Sequence, residues 1–249
     1  MGAGQSAAMT AVHLSGLSKS YGDRTILDEV SFDVEPGEFV SVIGPSGSGK
    51  STVFNMIAGL DTPDSGIVKA PPCAYMPQKD LLFPWRTVLD NTTLGLEVRG
   101  MSKKQARIQA QKLFPAFGLE GYEKARPSEL SGGMRQRAAM LRTVIQEREV
   151  LLLDEPFGAL DSLTRTGMQA WLQDVWLDYR WTVLMITHDI REAVYLSDRV
   201  IVLSDKPAHV RRQVTVSLPR PRKLDVVTTL HFAALEAELM EVLIGSHGR

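Results

Sequence analysis

A glycine-rich loop gives this chain its clearest chemical signal. The loop is Gly44-Pro45-Ser46-Gly47-Ser48-Gly49-Lys50-Ser51, followed by Thr52, and an apolar stretch at 39–43 precedes it. Successive backbone amides at a helix N-terminus hold phosphate oxygens well, because glycine leaves no side chain in the way. We expect Lys50 to supply a charge for the β and γ phosphates of a nucleotide, and Ser51 to ligate Mg²⁺. A plain turn between strand and helix would leave the Lys-Ser pair unexplained.

The paired acids Asp154 and Glu155 end a second apolar stretch, 150–153. Parallel strands end at the same edge of a sheet, so Asp154 is expected beside the glycine loop, where it holds Mg²⁺ through water. Glu155 is then placed to polarise a water in line with the γ-phosphate, which predicts hydrolysis rather than transfer to another acceptor. Capping of a following helix is the alternative for both acids, and it is stronger for Glu155.

Two further groups fit the same chemistry. His188 follows the apolar stretch 183–186 and is expected at the same sheet edge, within reach of the γ-phosphate. A histidine satisfied within the core is the alternative. The Ser-Gly-Gly stretch 131–133 precedes a helix predicted from Arg135, and so forms a second anion-binding helix end. Two such ends for one nucleotide need an explanation that a single chain does not provide.

The periodicity of the chain predicts the elements that position these groups. Residues up to about Asp33 alternate between apolar and polar, which predicts antiparallel strands around a turn. Residues 39–58 are predicted to form a strand, a loop and a helix, the order that the phosphate motif requires. The segment from 94 to 149 is richer in Lys, Arg, Gln and Ala, and a capping box at 102–105 predicts helices there. The later alternation of strands and helices predicts a parallel sheet.

Composition narrows the classes of protein. The chain has 249 residues, enough for one well-buried domain, and 28 basic against 29 acidic residues leave a net charge of -1. This balance gives no general attraction to nucleic acid or anionic lipid, and we expect no nucleic-acid partner. Cys73 is the single cysteine, which fits a reducing compartment. No stretch approaches the roughly 20 apolar residues that cross a bilayer, so the sequence predicts a soluble chain.

Together these motifs resemble the ATP-binding subunit of an ABC transporter, and the resemblance covers nearly the whole chain. It implies an α/β fold: a P-loop NTPase (RecA-like) core with a mainly parallel sheet, an N-terminal antiparallel β subdomain and an inserted α-helical subdomain. The expected division is a flexible leader at 1–10, an ABC ATPase domain at 11–224 with its helical subdomain at about 94–149, and a C-terminal helical extension at 225–249.

The resemblance also implies roles for the matching residues, with ATP and Mg²⁺ as cofactors. Tyr21 matches an aromatic residue that stacks on adenine, and Gln78 matches a glutamine that contacts Mg²⁺ or the attacking water. In the family, two copies pack head to tail, and each completes the ATP site of the other. The residues expected to act in trans are Ser131, Gly132, Gly133 and Asp161.

Three details are similar to importers of the nitrate, sulfonate and taurine group, which includes uptake systems for thiamine-precursor pyrimidines. They are Met134 after the Ser-Gly-Gly stretch, the segment 82–91, and the Pro-Arg segment 218–222. The group implies a transmembrane permease that docks near Gln78 to Trp85, and a solute-binding protein as an indirect partner. It also implies a peripheral location on the cytoplasmic face of the inner membrane. The apolar loop at 81–85 has a second explanation, packing over its own core.

Two other functions share much of this motif set. An ATPase of an exporter or a cell-division complex has every catalytic residue, and only the three group details weigh against it. A DNA-repair or chromosome-maintenance ATPase needs a long coiled coil between the glycine loop and the Ser-Gly-Gly stretch. The segment 94–129 is far too short for one.

Overall fold

The computed structural model describes residues 10–245, so the predicted leader lies, except for Thr10, outside the described residues. The elements run in the order β1 Val12–Tyr21, β2 Arg24–Val34, β3 Phe39–Ile43, α1 Lys50–Ile57, β4 Ser65–Lys69, β5 Ala74–Met76, α2 Val88–Thr92, α3 Leu94–Val98, α4 Lys103–Leu113, α5 Gly132–Val144, β6 Val150–Asp154, α6 Ser162–Tyr179, β7 Thr182–Ile186, α7 Ile190–Leu196, β8 Arg199–Leu203, β9 Val210–Thr215 and α8 Leu230–Ile244. Two short 3-10 turns lie at Pro127–Glu129 and Leu224–Thr228.

The strands form two sheets. β1 lies between β2 and β4, antiparallel to both. The larger sheet has the order β5-β6-β7-β3-β8-β9 and is parallel except for β9, which confirms the predicted mainly parallel sheet. Because β3, β7 and β6 are neighbours that run in one direction, the segments that follow them emerge side by side. These segments carry the glycine loop, His188 and the acid pair.

The larger sheet is covered on both faces, which explains its continuous apolar strands. Along β6, Val150 and Leu152 belong to the core on the side of α1 and the small sheet. Leu151 and Leu153 belong to the core on the other side, which the helices α5 to α8 complete. Every residue of β6 is buried.

The helical segment begins earlier than its predicted start at Leu94. Thr87 caps α2 by accepting a hydrogen bond from the amide of Asp90, so helical structure starts at Val88. The predicted N-cap at Ser102 is confirmed, because its hydroxyl accepts a hydrogen bond from the amide of Gln105 at the start of α4. A threonine cap with an acid three residues later is a signal that the sequence carried at 87–90.

The Pro-Arg segment 218–222 fastens the C-terminal part of the chain to the core. Arg222 is only 2% exposed, and its Nη1 donates to the carbonyls of Val194, Tyr195 and Ser197 at 3.0, 3.0 and 2.7 Å. Burial, and then the charge of Arg220, lowers the pKa of the Arg222 guanidinium to about 10. This arginine therefore uses its Nη1 donors within its own chain, which indicates a structural role.

Helix α8 follows this segment and packs an apolar stripe on the core. Phe232, Leu235 and Leu239 are buried, with Val242 at the margin. Within residues 10–245, no helix has both the length and the apolar character needed to cross a membrane.

Candidate active site

The glycine loop joins β3 to α1, as predicted, and two of its glycines lie in close packing. Gly49 has φ 93°, and a Cβ there would lie 2.7 Å from Cδ2 of Leu27. A Cβ at Gly44 would lie 3.0 Å from the carbonyl oxygen of Leu203. No side chain caps α1, which begins at Lys50. The first amides of this helix therefore have no capping side chain and are open to an anionic ligand.

Lys50 is buried inside the loop that precedes it. Its ammonium group donates to the carbonyls of Gly44 and Pro45 at 2.9 and 2.8 Å, and the residue is 7% exposed. Burial lowers the pKa of Lys50, while the charges of Glu155 and Asp154 act to raise it. Neutral carbonyls solvate the ammonium group but do not neutralise it. A buried cation beside open amides fits a phosphate group.

Asp154 ends β6 beside the start of α1. Its Oδ2 accepts hydrogen bonds from the hydroxyl of Ser51 at 3.3 Å and from the hydroxyl of Tyr75 at 3.1 Å. Burial raises the pKa of this carboxyl group, and the two hydrogen bonds oppose that change. A serine hydroxyl and a carboxylate at this separation supply oxygen ligands of the kind that Mg²⁺ prefers. The donor set thus fits the expected metal.

Glu155 is held by its backbone and by two neighbours. Its φ of 44° lies in the left-handed region, which costs a residue with a side chain some strain. Oε2 accepts a hydrogen bond from Nε2 of Gln78 at 2.9 Å, and Oε1 lies 3.4 Å from Nδ1 of His188. The amide of Glu155 donates to the carbonyl of Ile186 on β7, which fixes the turn. Three residues predicted to be catalytic are therefore in contact.

The glycine loop, Glu155 and its two neighbours line a cleft of about 720 Å³. Its walls are formed by Tyr21, Ile26, residues 46–52, Gln78, Glu155, His188 and Lys206. The ring of Tyr21 lies half exposed at the rim, and its hydroxyl donates to Asp61. That hydrogen bond raises the pKa of Tyr21, which keeps the phenol neutral.

The residues predicted to act in trans lie elsewhere. Ser131 caps α5 by accepting from the amide of Met134, so α5 begins at Gly132, earlier than the predicted Arg135. Gly132 lines a second cleft of about 510 Å³, together with Arg135 and residues 78–80 and 158–160. Asp161 caps α6, and its carboxylate accepts from the amide of Thr164 at 3.0 Å. Within one described chain, neither Ser131 to Gly133 nor Asp161 lines the first cleft.

Sequence reasoning missed two side chains at this edge. Tyr75 holds the carboxylate of Asp154, and Lys206 lines the cleft from the turn after β8. The signal for Lys206 was its position just beyond the apolar stretch 200–203, which ends beside the glycine loop. The positions of Asp154 and His188 beside the glycine loop were predicted because parallel strands end at the same edge of a sheet.

The loop with its enclosed lysine, set against the acids at the end of β6, defines a P-loop nucleotide-binding protein. The family model described as ABC transporter matches residues 27–158. The formylaminopyrimidine import ATP-binding protein ThiZ of Halalkalibacterium halodurans is 43% identical over 224 residues, covering 88% of this chain and 90% of the relative. The aliphatic sulfonates import ATP-binding protein SsuB 1 of Rhodococcus jostii is 43% identical over 243 residues, covering 95% and 94%.

Solved structures agree with these relatives. The dimeric structure of MJ0796, a bacterial ABC transporter cassette, has a TM-score of 0.72 and 31% identity, and the match covers 84% of this chain and 100% of that one. A structure of the same cassette in a post-hydrolysis state, bound to ADP and Pi, matches equally well. This chain belongs to the ABC transporter family and is one of its ATP-binding, ATP-hydrolysing subunits.

Proposed function

We propose that this chain powers the import of a small polar solute through a separate permease, by hydrolysing ATP in the cleft beside the glycine loop. The observation that carries the proposal is the enclosure of Lys50 by two carbonyls at the same edge as Glu155, Gln78 and His188. The names of the relatives support the direction of transport. We propose that the solute is sulfonate-, nitrate- or taurine-like or a thiamine-precursor pyrimidine, a range supported by relatives named for the import of formylaminopyrimidine and of aliphatic sulfonates.

In this proposal the loop from Gly44 to Ser51, with Thr52, binds the phosphates, and Tyr21 at the rim stacks on the adenine. Ser51 and Asp154 hold Mg²⁺, with Gln78 as a further ligand. When bound, the metal neutralises charge on the β and γ phosphates. Burial raises the pKa of Asp154 and so disfavours its ionised form. A bound cation would oppose this effect and favour the carboxylate.

Glu155 is the proposed group that positions and deprotonates the attacking water. Its hydrogen bond from Gln78 and its contact with His188 aim the carboxylate into the cleft. His188 would donate a hydrogen bond to the γ-phosphate. Because His188 also contacts Glu155, it would position the phosphate relative to the base. A carboxylate held in this way supports general-base catalysis of hydrolysis.

A second copy of the chain is the proposed partner in the ATP-bound state. Ser131, Gly132 and Gly133 begin α5 outside the cleft of their own chain, so they are free to close on the nucleotide of another. Asp161 at the start of α6 would cross the same interface. The dimeric form of the MJ0796 cassette supports this assembly.

We propose that the permease docks near Gln78 to Trp85 and that the chain lies at the cytoplasmic face of the inner membrane as a peripheral subunit. Leu81 and Trp85 are exposed, and Trp85 stacks on Phe83 with ring centroids 5.0 Å apart. Arg142 donates to the carbonyls of Asp80 and Leu81, which connects this loop to α5.

We propose the division of the chain into an ATPase domain at 11–224 and a C-terminal extension at 225–249, with helices α2 to α5 in the helical subdomain.

The experiment is co-purification with the candidate permease, followed by solute uptake in vesicles. Trp85→Glu puts a charge on the proposed docking loop, where the side chain is 68% exposed. Val98→Glu is the matched control, because Val98 is 80% exposed on α3. We expect Trp85→Glu to abolish co-purification and uptake while leaving ATP binding intact. Equal retention of the permease by both variants, or export of solute from the vesicles, would contradict the proposal.

A further inference from the structure

A lysine outside the glycine loop lies over the phosphate-binding cleft. Lys206 belongs to the turn between β8 and β9, and it lines the cleft together with residues 46–52. Its Nζ and Cε lie 3.7 and 3.9 Å from the position that a Cβ on Gly47 would occupy. Gly47 itself has φ 75° in the middle of the loop. The ammonium group is therefore in contact range of the loop that holds phosphate.

The turn that carries Lys206 is fixed by hydrogen bonds on both sides. The amide of Ala208 donates to the carbonyl of Ile26 at 2.8 Å, and the amide of Asp28 donates to the carbonyl of Ala208 at 2.9 Å. The amide of Ser204 donates to the carbonyl of His209 at 3.0 Å, and its hydroxyl bonds to the same histidine. Since Ile26 also lines the cleft, β2 ties the turn directly to the site.

The charge of Lys206 is not neutralised by the part of the chain that the structure describes. Two lysines of the described chain lie beside carboxylates: Lys19 lies 3.2 Å from Asp61, and Lys103 lies 3.1 Å from Asp90. Lys206 has no such ion pair among residues 10–245. A lysine that is aimed at a glycine of the phosphate loop and lacks a carboxylate partner is suited to an anionic ligand.

We propose that Lys206 is a second phosphate-binding lysine of the nucleotide site, contacting the β and γ phosphates from the side opposite Glu155. This inference rests on the proposed ATP site. Lys50 is buried beneath the loop, whereas Lys206 reaches over it from the solvent side. A polyphosphate between them would be held by charge from two directions. Because Lys206 is exposed, its contribution is that of a solvated charge pair, about fivefold in Kd at low salt.

The test is a fluorescence titration of the full chain with ATP, ADP and AMP in the presence of Mg²⁺, without reference to turnover. Lys206→Gln removes the charge, Lys206→Arg retains it, and Lys104→Gln removes a charge from the exposed surface of α4 as the control. We expect Lys206→Gln to weaken ATP binding about fivefold and AMP binding little, with the loss shrinking at high salt. Lys206→Arg should restore ATP binding.

Two outcomes would overturn the inference. One is Lys206→Gln binding ATP as tightly as Lys104→Gln does. The other is an equal loss for ATP and AMP, which would place the lysine away from the β and γ phosphates. Lys50→Ala separates this failure from that of the proposed function. If Lys50→Ala also leaves ATP binding unchanged, the ATP site itself is wrong, and if only Lys206→Gln has no effect, the site stands without its second lysine.

Discussion

Two helices of this chain begin with glycine-rich sequence, and their surroundings differ. The N-terminus of α1 has no side-chain cap, encloses Lys50 and shares its cleft with Glu155 and His188. The N-terminus of α5 is capped by Ser131 and shares its cleft with Asp80 and Arg135. The first end combines a cation, acids and open amides. The second end offers amides and a hydroxyl but has no catalytic acid of its own.

The difference fits the proposed division of the work between two copies of the chain. In that proposal the α1 end binds phosphate and activates water, and the α5 end contacts an anion already bound to the other copy. The two ends line different clefts of one chain, and we propose that they meet on one nucleotide across an interface between two copies. A two-fold axis makes both contacts at once, because each copy presents both surfaces.

The largest expected effect comes from breaking the α1 end at Glu155. Glu155→Gln keeps the size of the side chain and removes the base, so we expect ATP turnover to fall by about a thousandfold. ATP binding should persist, and an ATP-bound dimer should accumulate in gel filtration. Glu149→Gln is the matched control, because Glu149 is exposed at the opposite end of β6. Turnover by Glu155→Gln at the level of this control would remove Glu155 from the mechanism.

A smaller effect is expected at the α5 end. Ser131→Ala removes the hydroxyl that caps α5, which costs about 1 kcal/mol of stability, and also removes a group proposed to contact ATP in the partner's cleft. We expect hydrolysis to fall about tenfold, in the range for a lost charged hydrogen bond, while ATP binding to the separate chain is unchanged. Ser102→Ala removes the equivalent cap of α4 and controls for the loss of stability. Equal hydrolysis by the two variants would assign Ser131 a structural role alone.

The smallest expected effect is a pH dependence of nucleotide binding at the α1 end. Burial lowers the pKa of Lys50, so this lysine loses its charge at a lower pH than an exposed lysine does. Bound phosphate favours the charged form, and affinity for ATP should therefore fall as pH rises through that lowered pKa. Isothermal titration of the wild-type chain and of Lys50→Arg between neutral and alkaline pH provides the measurement. An affinity that stays constant or rises with pH in the wild-type chain would contradict this account.

Much of the α1 end could be predicted from sequence because its parts follow buried parallel strands. Apolar runs such as 150–153 mark those strands, and their carboxyl ends meet at one edge. The apolar stretch 200–203 places the turn of Lys206 at this edge, but the lysine was missed because its approach to Gly47 also depends on hydrogen bonds between the β8–β9 turn and β2. The start of α5 was placed too late because glycine disfavours helix, whereas the cap at Ser131 compensates.

The most direct test of the two-copy account mixes two defective variants, Lys50→Ala and Ser131→Ala, and measures ATP hydrolysis. In a mixed dimer, one site has both defects, and the other pairs an intact glycine loop with an intact α5 end. Random mixing makes half of the dimers mixed, so about a quarter of wild-type hydrolysis should return. Hydrolysis no greater than the average of the two separate variants would contradict the account, because it would mean that each α5 end serves the nucleotide of its own chain.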